Sequence, residues 1–231
     1  MRAYGQYCPI ARGAEIFAER WTPIIVRNLH LGYDTFGEIL RGAPGIPKSL
    51  LSQRLRDLER TGLVERVPNG GRGSRYQLTP AGSGLWDVCM ALGTWGARWL
   101  EVGPEHLDPY VVLWAMRDTI NRDRVPARRV VVRFEFRDQP KATRNFWLLI
   151  EPAGVEVCVS PPGDDEDLVV TALSEPFVMW HMGRMSWRDA VRSGGIAVDG
   201  AAGLARSFPT WNELSHFAHI KPEKDLARSA V

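Results

Sequence analysis

Residues 47–61 read PKSLLSQRLRDLERT, and this stretch decides the fold of the N-terminal region. Leu51, Leu55 and Leu58 recur at the i, i+4 and i+7 spacing of a single helix face. The positions between these leucines are polar or cationic, so they face outward on the same helix. The pattern predicts an amphipathic helix from about Pro47 to Thr61, closed by Gly62.

The residues before and after this helix predict the rest of a domain. A short helix capped by Asp34 and a Gly-Pro turn at 42–45 precede it, and short helix, turn, longer helix is the order of a helix-turn-helix. Upstream, residues 9–31 predict two helices, the second with Thr22 as its N-cap. Downstream, two β-like runs at 63–67 and 75–78 flank a glycine-rich hairpin tip, and a helix follows to about residue 100. A winged helix-turn-helix domain is therefore predicted over residues 1–103.

Charge is distributed unevenly along the chain. The net charge of all 231 residues is only +2. Residues 1–103 carry 13 Lys and Arg against 9 Asp and Glu, whereas the remainder is net acidic. Cationic side chains neutralise phosphates, so the positive charge lies where a nucleic-acid backbone could use it.

The polar face of the predicted helix and the wing supply candidate DNA contacts. A glutamine reads adenine bidentately, an arginine reads guanine or holds a phosphate, and short serines permit close approach. A glycine-flanked arginine at a hairpin tip can enter a minor groove. The alternative is a solvated basic helix beside a solvated hairpin. The candidate DNA-binding residues are Lys48, Ser49, Ser52, Gln53, Arg54, Arg56, Arg72 and Arg75.

Several motifs together resemble the HxlR-type winged helix-turn-helix regulators over about residues 5–100. The matching stretches are Cys8-Pro9-Ile10-Ala11-Arg12, Arg20-Trp21-Thr22, Gly45-Ile46, the run 51–59, Gly62-Leu63-Val64 and the run 76–82. The resemblance implies a homodimer that binds inverted-repeat, double-stranded operator DNA, with the outer helices forming the dimer contact. One departure concerns the recognition helix, which opens with Pro47-Lys48-Ser49 where the family usually has Ser-Pro-Lys, so a serine N-cap is lost.

Cys8 falls where this family often carries a cysteine. The resemblance implies that this thiol senses oxidants or electrophiles in some members, and Arg12, one helical turn on, could supply the charge that such a thiol needs. The alternative is a small apolar residue packed beside Pro9. A redox-sensing regulator acting through Cys8 stays open, while Cys89 and Cys158 lie in apolar patterns and are expected in the core.

After Gly103-Pro104 the pattern changes to that of an α+β domain, predicted over residues 104–231. A helix at about 109–122 precedes alternating β-like runs at 130–136, 146–151, 155–160 and 168–172. Helical patterns follow at about 175–183, 186–193 and 201–207, with a short strand at 196–199 between the last two. The predicted fold class is α+β, with a mostly antiparallel five-stranded sheet and covering helices behind the winged helix-turn-helix domain.

The run from Ser186 to Trp211 resembles the C-terminal part of sterol-carrier-protein-type lipid-binding domains. Its matching stretches are 186–190, 193–200 and 204–211, and the preceding strand order fits over roughly 106–220. The resemblance implies a hydrophobic tunnel for acyl chains or other apolar ligands. The bulky aromatic side chains of this region can instead simply fill a core, or the domain could only strengthen dimerisation. The predicted ligand-binding residues are Phe134, Phe136, Trp147, Phe177, Trp180, Trp187, Phe208 and Trp211.

Other function classes lack their usual signals. The histidines form no metal-binding pattern, and no nucleophile elbow, P-loop or GxGxxG motif occurs in a fitting context, so no metal, cofactor, catalytic residue or enzyme activity is predicted. The three cysteines are far apart, MRAYGQYCPI is not a signal peptide, and no apolar run approaches the length of a membrane span. A cytoplasmic protein is expected.

The favoured hypothesis is a DNA-binding transcriptional regulator, a homodimer whose operator affinity responds to an apolar or fatty-acid-like molecule in its second domain. The rival hypothesis is a lipid-binding or carrier protein whose winged helix serves protein contacts. Salt-dependent binding to the protein's own promoter DNA distinguishes the two, because phosphate neutralisation makes the affinity for DNA fall steeply with salt.

Overall fold

The computed structural model describes residues 4–68, 70, 73–163 and 165–223. The chain divides into two compact units, Met1–Gly96 and Ala97–Val231, which are described separately below. In the described residues, no helix combines the length and apolar character needed to cross a membrane.

The N-terminal unit is a winged helix-turn-helix, as predicted. The helices and strands in chain order are α1 (Pro9–Phe17), α2 (Thr22–His30), α3 (Phe36–Arg41), α4 (Lys48–Arg60), β1 (Val64–Pro68), β2 (Ser74–Leu78), α5 (Pro80–Ser83) and α6 (Leu85–Trp99). Strands β1 and β2 pair antiparallel from Val64–Leu78 to Pro68–Ser74 and form the wing. Helices α3 and α4 are the helix-turn-helix pair.

The core of this unit is largely aliphatic. Leu51, Leu55 and Leu58 of α4 are each at most 2% exposed, which confirms the face assigned from their spacing. They share the interior with apolar residues of the preceding helices, including Ile25, Val26 and Ile39. Burial of each such side chain stabilises the fold by roughly 1.5–3 kcal/mol. The polar face of α4 is thereby held outward.

Two helices begin at different residues from those predicted. The N-cap of α2 is Trp21 rather than Thr22, and its backbone lies in the left-handed region at φ +78°. The N-cap of α3 is Thr35 rather than Asp34, because Thr35 and Glu38 form a reciprocal capping box that satisfies two backbone N–H groups. Asp34 is thus left available for another partner.

A glycine allows the wing to return to the helices. A Cβ atom on Gly82 would lie 2.0 Å from the backbone oxygen of Leu63. Thr79 holds the same junction, since its N–H donates to the Leu63 carbonyl and its hydroxyl to the Gly62 carbonyl. The end of β2 is therefore joined to the end of α4 by close backbone approach.

The C-terminal unit is α+β. Its elements in chain order are α7 (Pro109–Thr119), β3 (Val130–Phe136), β4 (Asn145–Glu151), β5 (Gly154–Cys158), β6 (Leu168–Ala172), α8 (Ser174–His181), α9 (Trp187–Arg192), β7 (Ile196–Gly200) and α10 (Ala202–Ser207). The five strands form one sheet in the order β5-β4-β3-β6-β7. The predicted number of strands and the predicted helices are all present.

The sheet is mixed, which corrects the expectation of a mostly antiparallel one. Strands β5, β4 and β3 form an antiparallel meander and β6 pairs antiparallel with β7, but β6 joins the meander through a parallel pairing with β3. After β5 the chain continues to β6 on the other side of β3, where β6 runs in the same direction as β3. Alternating side chains identify a strand but not the direction of its neighbour.

Candidate nucleic-acid interface

The outward face of α4 carries most of the predicted DNA contacts. Lys48, Ser49, Gln53 and Arg56 are exposed and Ser52 is half-buried. These positions follow the helical repeat on the side opposite the buried leucines. The structure therefore brings these polar and cationic groups together on one surface, as the spacing predicts.

Arg54 does not belong to that surface. Its side chain is only 16% exposed, and Nη2 lies 2.6 Å from Oε2 of Glu19, in the segment between α1 and α2. Successive residues of an α-helix are about 100° apart, so Arg54 lies next to the buried leucines and away from Gln53 and the rest of the exposed face. Its prediction as a base or phosphate contact is corrected: Arg54 ties α4 to the preceding helices.

A hydrogen-bonded network orients the middle of the face. Asp57 is 6% exposed, and its carboxylate accepts from Gln53 Nε2 at 3.0 Å and from Arg60 at 2.9 Å. Gln53 Oε1 in turn accepts from Arg56 Nη2 at 2.9 Å. These bonds fix the orientation of the Gln53 amide. Two predicted DNA contacts, Gln53 and Arg56, are therefore held in place by the buried Asp57 carboxylate.

The first turn of α4 has no side-chain cap. Its N-cap is Pro47, whose side chain cannot accept a hydrogen bond, and the helix begins at Lys48. This agrees with the loss of a serine cap inferred from the sequence. The first backbone N–H groups of a helix have no intrahelical acceptor, and they favour an anion.

In the wing, the structure describes one of the two predicted arginines. Arg75 Nη1 lies 2.8 Å from Oδ2 of Asp34, and the N–H of Tyr76 donates to the Asp34 carbonyl. Asp34 thus anchors strand β2 of the wing to the segment before α3 instead of capping that helix. Arg72 lies outside the described residues.

Two α2 residues position the helix-turn-helix, and the sequence did not single them out. Arg27 Nη2 donates to the Gly42 carbonyl at 2.7 Å, and Asn28 Nδ2 donates to the Ile39 carbonyl at 3.1 Å. Burial lowers the pKa of Arg27 from its ordinary value. Polar side chains in an otherwise apolar helix were the available signal, because buried polar groups usually have specific partners.

Comparison with known proteins identifies the family to which this helix-turn-helix region is similar. Residues 16–104 match the family model described as HxlR-like helix-turn-helix. An uncharacterized HTH-type transcriptional regulator of Mycobacterium tuberculosis is 37% identical over 45% of this chain and 73% of its own length. The uncharacterized regulator YvaP of Bacillus subtilis is 31% identical over 45% of this chain and 96% of its own length. The chain belongs to the HxlR-like helix-turn-helix family.

Membership of the HxlR-like family makes this chain a DNA-binding transcriptional regulator of the helix-turn-helix type. Among solved structures, diamide-treated YodB from Bacillus subtilis is 31% identical to this chain. The structural alignment covers 41% of this chain and 97% of YodB, with a TM-score of 0.34. The family match ends at residue 104 and leaves residues 105–231, most of the C-terminal unit, outside it.

Two further features of the HxlR-like unit bear on its predicted partners. Helix α6 exposes a stripe of apolar side chains, each between 44% and 53% exposed: Val88, Leu92, Trp95 and Trp99.

Cys8 is half-buried and is the N-cap of α1. The nearby Arg12 Nε lies 3.8 Å from Oε2 of Glu15. Redox sensing by Cys8 stays a prediction.

The other cysteines are also only half-buried, where the sequence predicts core positions. Burial raises the pKa of the Cys89 thiol, and Cys89 Sγ approaches the Pro23 carbonyl at 3.6 Å. Burial likewise raises the pKa of Cys158. Both thiols are therefore less acidic than a free cysteine.

Most of the predicted ligand-binding rings pack against one another. Phe177 contacts both Phe134 and Phe136, with centroids 5.7 Å and 5.2 Å apart. The same cluster continues through further ring pairs to Trp180, Trp187, Phe208 and Trp211. All but Trp187 are buried. This packing fits the core alternative, and a tunnel among these rings stays a prediction.

Trp147 is separated from that cluster by the sheet. It pairs in register with Arg133, whose side chain points away from the face that carries Phe134. Its indole Nε1 donates to Glu166 at 3.0 Å, and Glu166 also accepts from Arg133. The prediction that Trp147 lines the same ligand site as the other rings is therefore wrong, because Trp147 lies on the opposite face of the sheet.

Proposed function

We propose that this regulator acts as a homodimer whose operator affinity is modulated by a small, largely apolar molecule held in the C-terminal unit. The exposed face of α4 is the observation that carries the DNA-contact assignment. Lys48, Ser49, Ser52, Gln53 and Arg56 contact the operator, and the wing contacts the adjacent backbone. Arg54 is left out of this set because Glu19 occupies it.

Homodimerisation uses the exposed stripe of α6. A row of apolar side chains at i, i+4, i+7 and i+11 on a surface helix favours a second apolar helix as its partner. A second copy of the same helix supplies such a face with matching spacing. Pairing two copies also provides two recognition helices, as an inverted-repeat operator requires.

The DNA assignment is tested by fluorescence anisotropy with the protein's own promoter DNA over a series of salt concentrations. Lys48→Ala and Arg56→Ala each remove one cation, so each weakens binding and lowers the slope of log K against log salt by about 1. Arg12→Ala, which removes a 69% exposed arginine of α1, is the matched control and leaves the slope unchanged. Wild-type slopes in both α4 variants would refute the assignment.

The dimer is tested by sedimentation velocity. Leu92→Arg puts a charge in the middle of the stripe, where pairing would bury it, so the variant sediments as a monomer. Asp87→Arg introduces the same side chain at an exposed α6 position outside the stripe, and it stays dimeric. A dimeric Leu92→Arg protein would place the dimer contact elsewhere.

Modulation is tested with dodecanoate as an acyl-chain probe. Calorimetry establishes whether the full chain binds dodecanoate, and operator affinity is then measured with and without saturating probe. A ligand shifts DNA binding only by its differential affinity for the free and DNA-bound states, so coupling appears as a change in operator affinity. Binding with no such change supports instead a carrier role for the C-terminal unit.

A further inference from the structure

The C-terminal unit contains a cleft that is distinct from the aromatic cluster. It has a volume of about 490 Å³ and lies between the start of α7 and the loop joining β3 to β4. This volume is in the range of small-molecule sites, roughly 300–1,000 Å³. Its walls include Tyr110 and Phe146, whose rings are 5.8 Å apart at a tilt of 45°.

One buried acceptor in the cleft wall has no donor. Asn145 begins β4 and lines the cleft, and its side-chain Oδ1 atom is buried without a hydrogen-bond partner. An unpaired buried acceptor costs roughly 1–3 kcal/mol, so a native structure seldom keeps one without a reason. A ligand that brings an N–H or O–H group would satisfy it.

The charge of the lining favours one class of donor. Glu105 and Asp108 line the cleft, and of the described residues that line it none is a lysine or arginine. The Nδ1 atom of His106 lies 3.5 Å from the Glu105 carboxylate, but it already accepts from the N–H of Gly103. That nitrogen therefore offers the Glu105 carboxylate no proton. The lining attracts cations and repels anions.

From these observations we infer that the cleft binds a small organic amine. In the bound state the Asn145 amide turns towards the cleft, so that the ammonium group donates to Oδ1 in the field of the two carboxylates. The hydrocarbon part of the amine lies against Tyr110 and Phe146. Aromatic faces also attract an ammonium group. The cleft offers the proposed regulator a second kind of ligand, with an apolar body and a cationic head, at a site that does not suit an anionic acyl chain such as dodecanoate. The regulatory consequence of amine binding alone rests on the proposed function.

The test uses the full chain and three probes of similar size: 2-phenylethylamine, 3-phenylpropanoate and propylbenzene. Calorimetry is expected to show binding of the amine at least tenfold tighter than of the other two. Asn145→Leu weakens amine binding at least tenfold, whereas Asn145→Asp retains it. Equal binding of the carboxylate or of the neutral hydrocarbon would overturn the inference.

Surface variants keep the test independent of folding at Asn145. Glu105→Gln changes an exposed side chain and weakens amine binding about threefold, while Glu156→Gln, at an exposed position of β5 outside the cleft, leaves it unchanged. Amine binding unaffected by both Asn145→Leu and Glu105→Gln would refute the site. Operator affinity is measured in the same samples: binding without an effect on DNA keeps the cleft and removes only the proposed coupling.

Discussion

The two units of this chain place their large side chains and their functional groups in different ways. The N-terminal unit has a mostly aliphatic core and presents most of the polar side chains predicted to contact DNA on one exposed face of α4. The C-terminal unit buries rings such as Phe134, Phe177 and Trp211 completely. Exposed polar side chains on a regular face indicate a partner, whereas abundant aromatic residues indicate first of all a core.

The largest expected effect on stability comes from removing one of the buried aromatic rings of the C-terminal unit. Phe134→Ala leaves a cavity beneath the sheet and lowers the free energy of unfolding of the C-terminal unit by about 3–5 kcal/mol. Hydrogen exchange of peptides covering β3 measures the loss. Val159→Ala, which shortens a 70% exposed side chain, is the control and changes exchange little. A mild effect of Phe134→Ala would mean that the rings surround a space already open, as the tunnel hypothesis requires.

A buried histidine gives the C-terminal unit a dependence on pH. Burial lowers the pKa of His181 from 6.5 to about 4, and its Nδ1 lies 3.3 Å from Asn212 Nδ2. The unfolded chain then binds more protons between these pH values, so stability is complete above pH 6.5 and falls as the pH drops towards 4. The shift corresponds to about 3 kcal/mol.

Urea unfolding at successive pH values measures this effect. His181→Gln removes the titrating group and flattens the dependence between pH 6.5 and 4. His216→Gln changes an exposed histidine of the same unit and retains the wild-type slope. An unchanged slope in His181→Gln would assign the acid sensitivity to other groups.

Two arginines two residues apart sharpen the comparison within α4. Arg54→Ala removes the pair with Glu19 and costs about 1.5–3 kcal/mol of unfolding free energy. Arg56→Ala changes stability by less than about 0.5 kcal/mol, since its side chain is exposed, but it weakens operator binding. Unfolding curves and DNA titrations on both variants separate the two roles. A stable Arg54→Ala protein with weakened DNA binding would restore Arg54 to the interface.

The smallest expected effect concerns backbone packing at the wing. Gly82→Ala places a methyl group against the Leu63 carbonyl and destabilises the unit by about 1–3 kcal/mol. Gly37→Ala in α3 is the matched control, because a Cβ there meets nothing within 4 Å. That variant gains about 1 kcal/mol from helix propensity. Thermal unfolding that shifts in opposite directions supports the contrast, and a stable Gly82→Ala protein contradicts it.

Local patterns predicted much of this molecule. Alternation located β3 and β6 with the same ends as in the structure, and leucine spacing identified the buried face of α4. The parallel pairing of β3 with β6 was not predictable in this way, because a strand's neighbour depends on the path of the connecting chain. The family resemblance supplied what local spacing could not, namely the identity of the DNA-binding unit.

The errors share a physical cause. Arg54 was assigned to DNA because Glu19, its partner, lies 35 residues away in sequence. Trp147 was grouped with the other rings because its face of the sheet follows from its register with β3, which alternation within β4 does not reveal. Asn145 was not singled out, since nothing in its neighbourhood marks an acceptor that folding leaves without a donor.

The uncapped start of α4 has a consequence for how the regulator searches a genome. Where Pro47 leaves the first amides without an acceptor, a DNA phosphate bound there acts as a cap supplied by the partner. Every nucleotide carries the same phosphate, so this contact lengthens each encounter with DNA equally on operator and non-operator sequences. Discrimination between them then falls to the side chains one and two turns further along the helix.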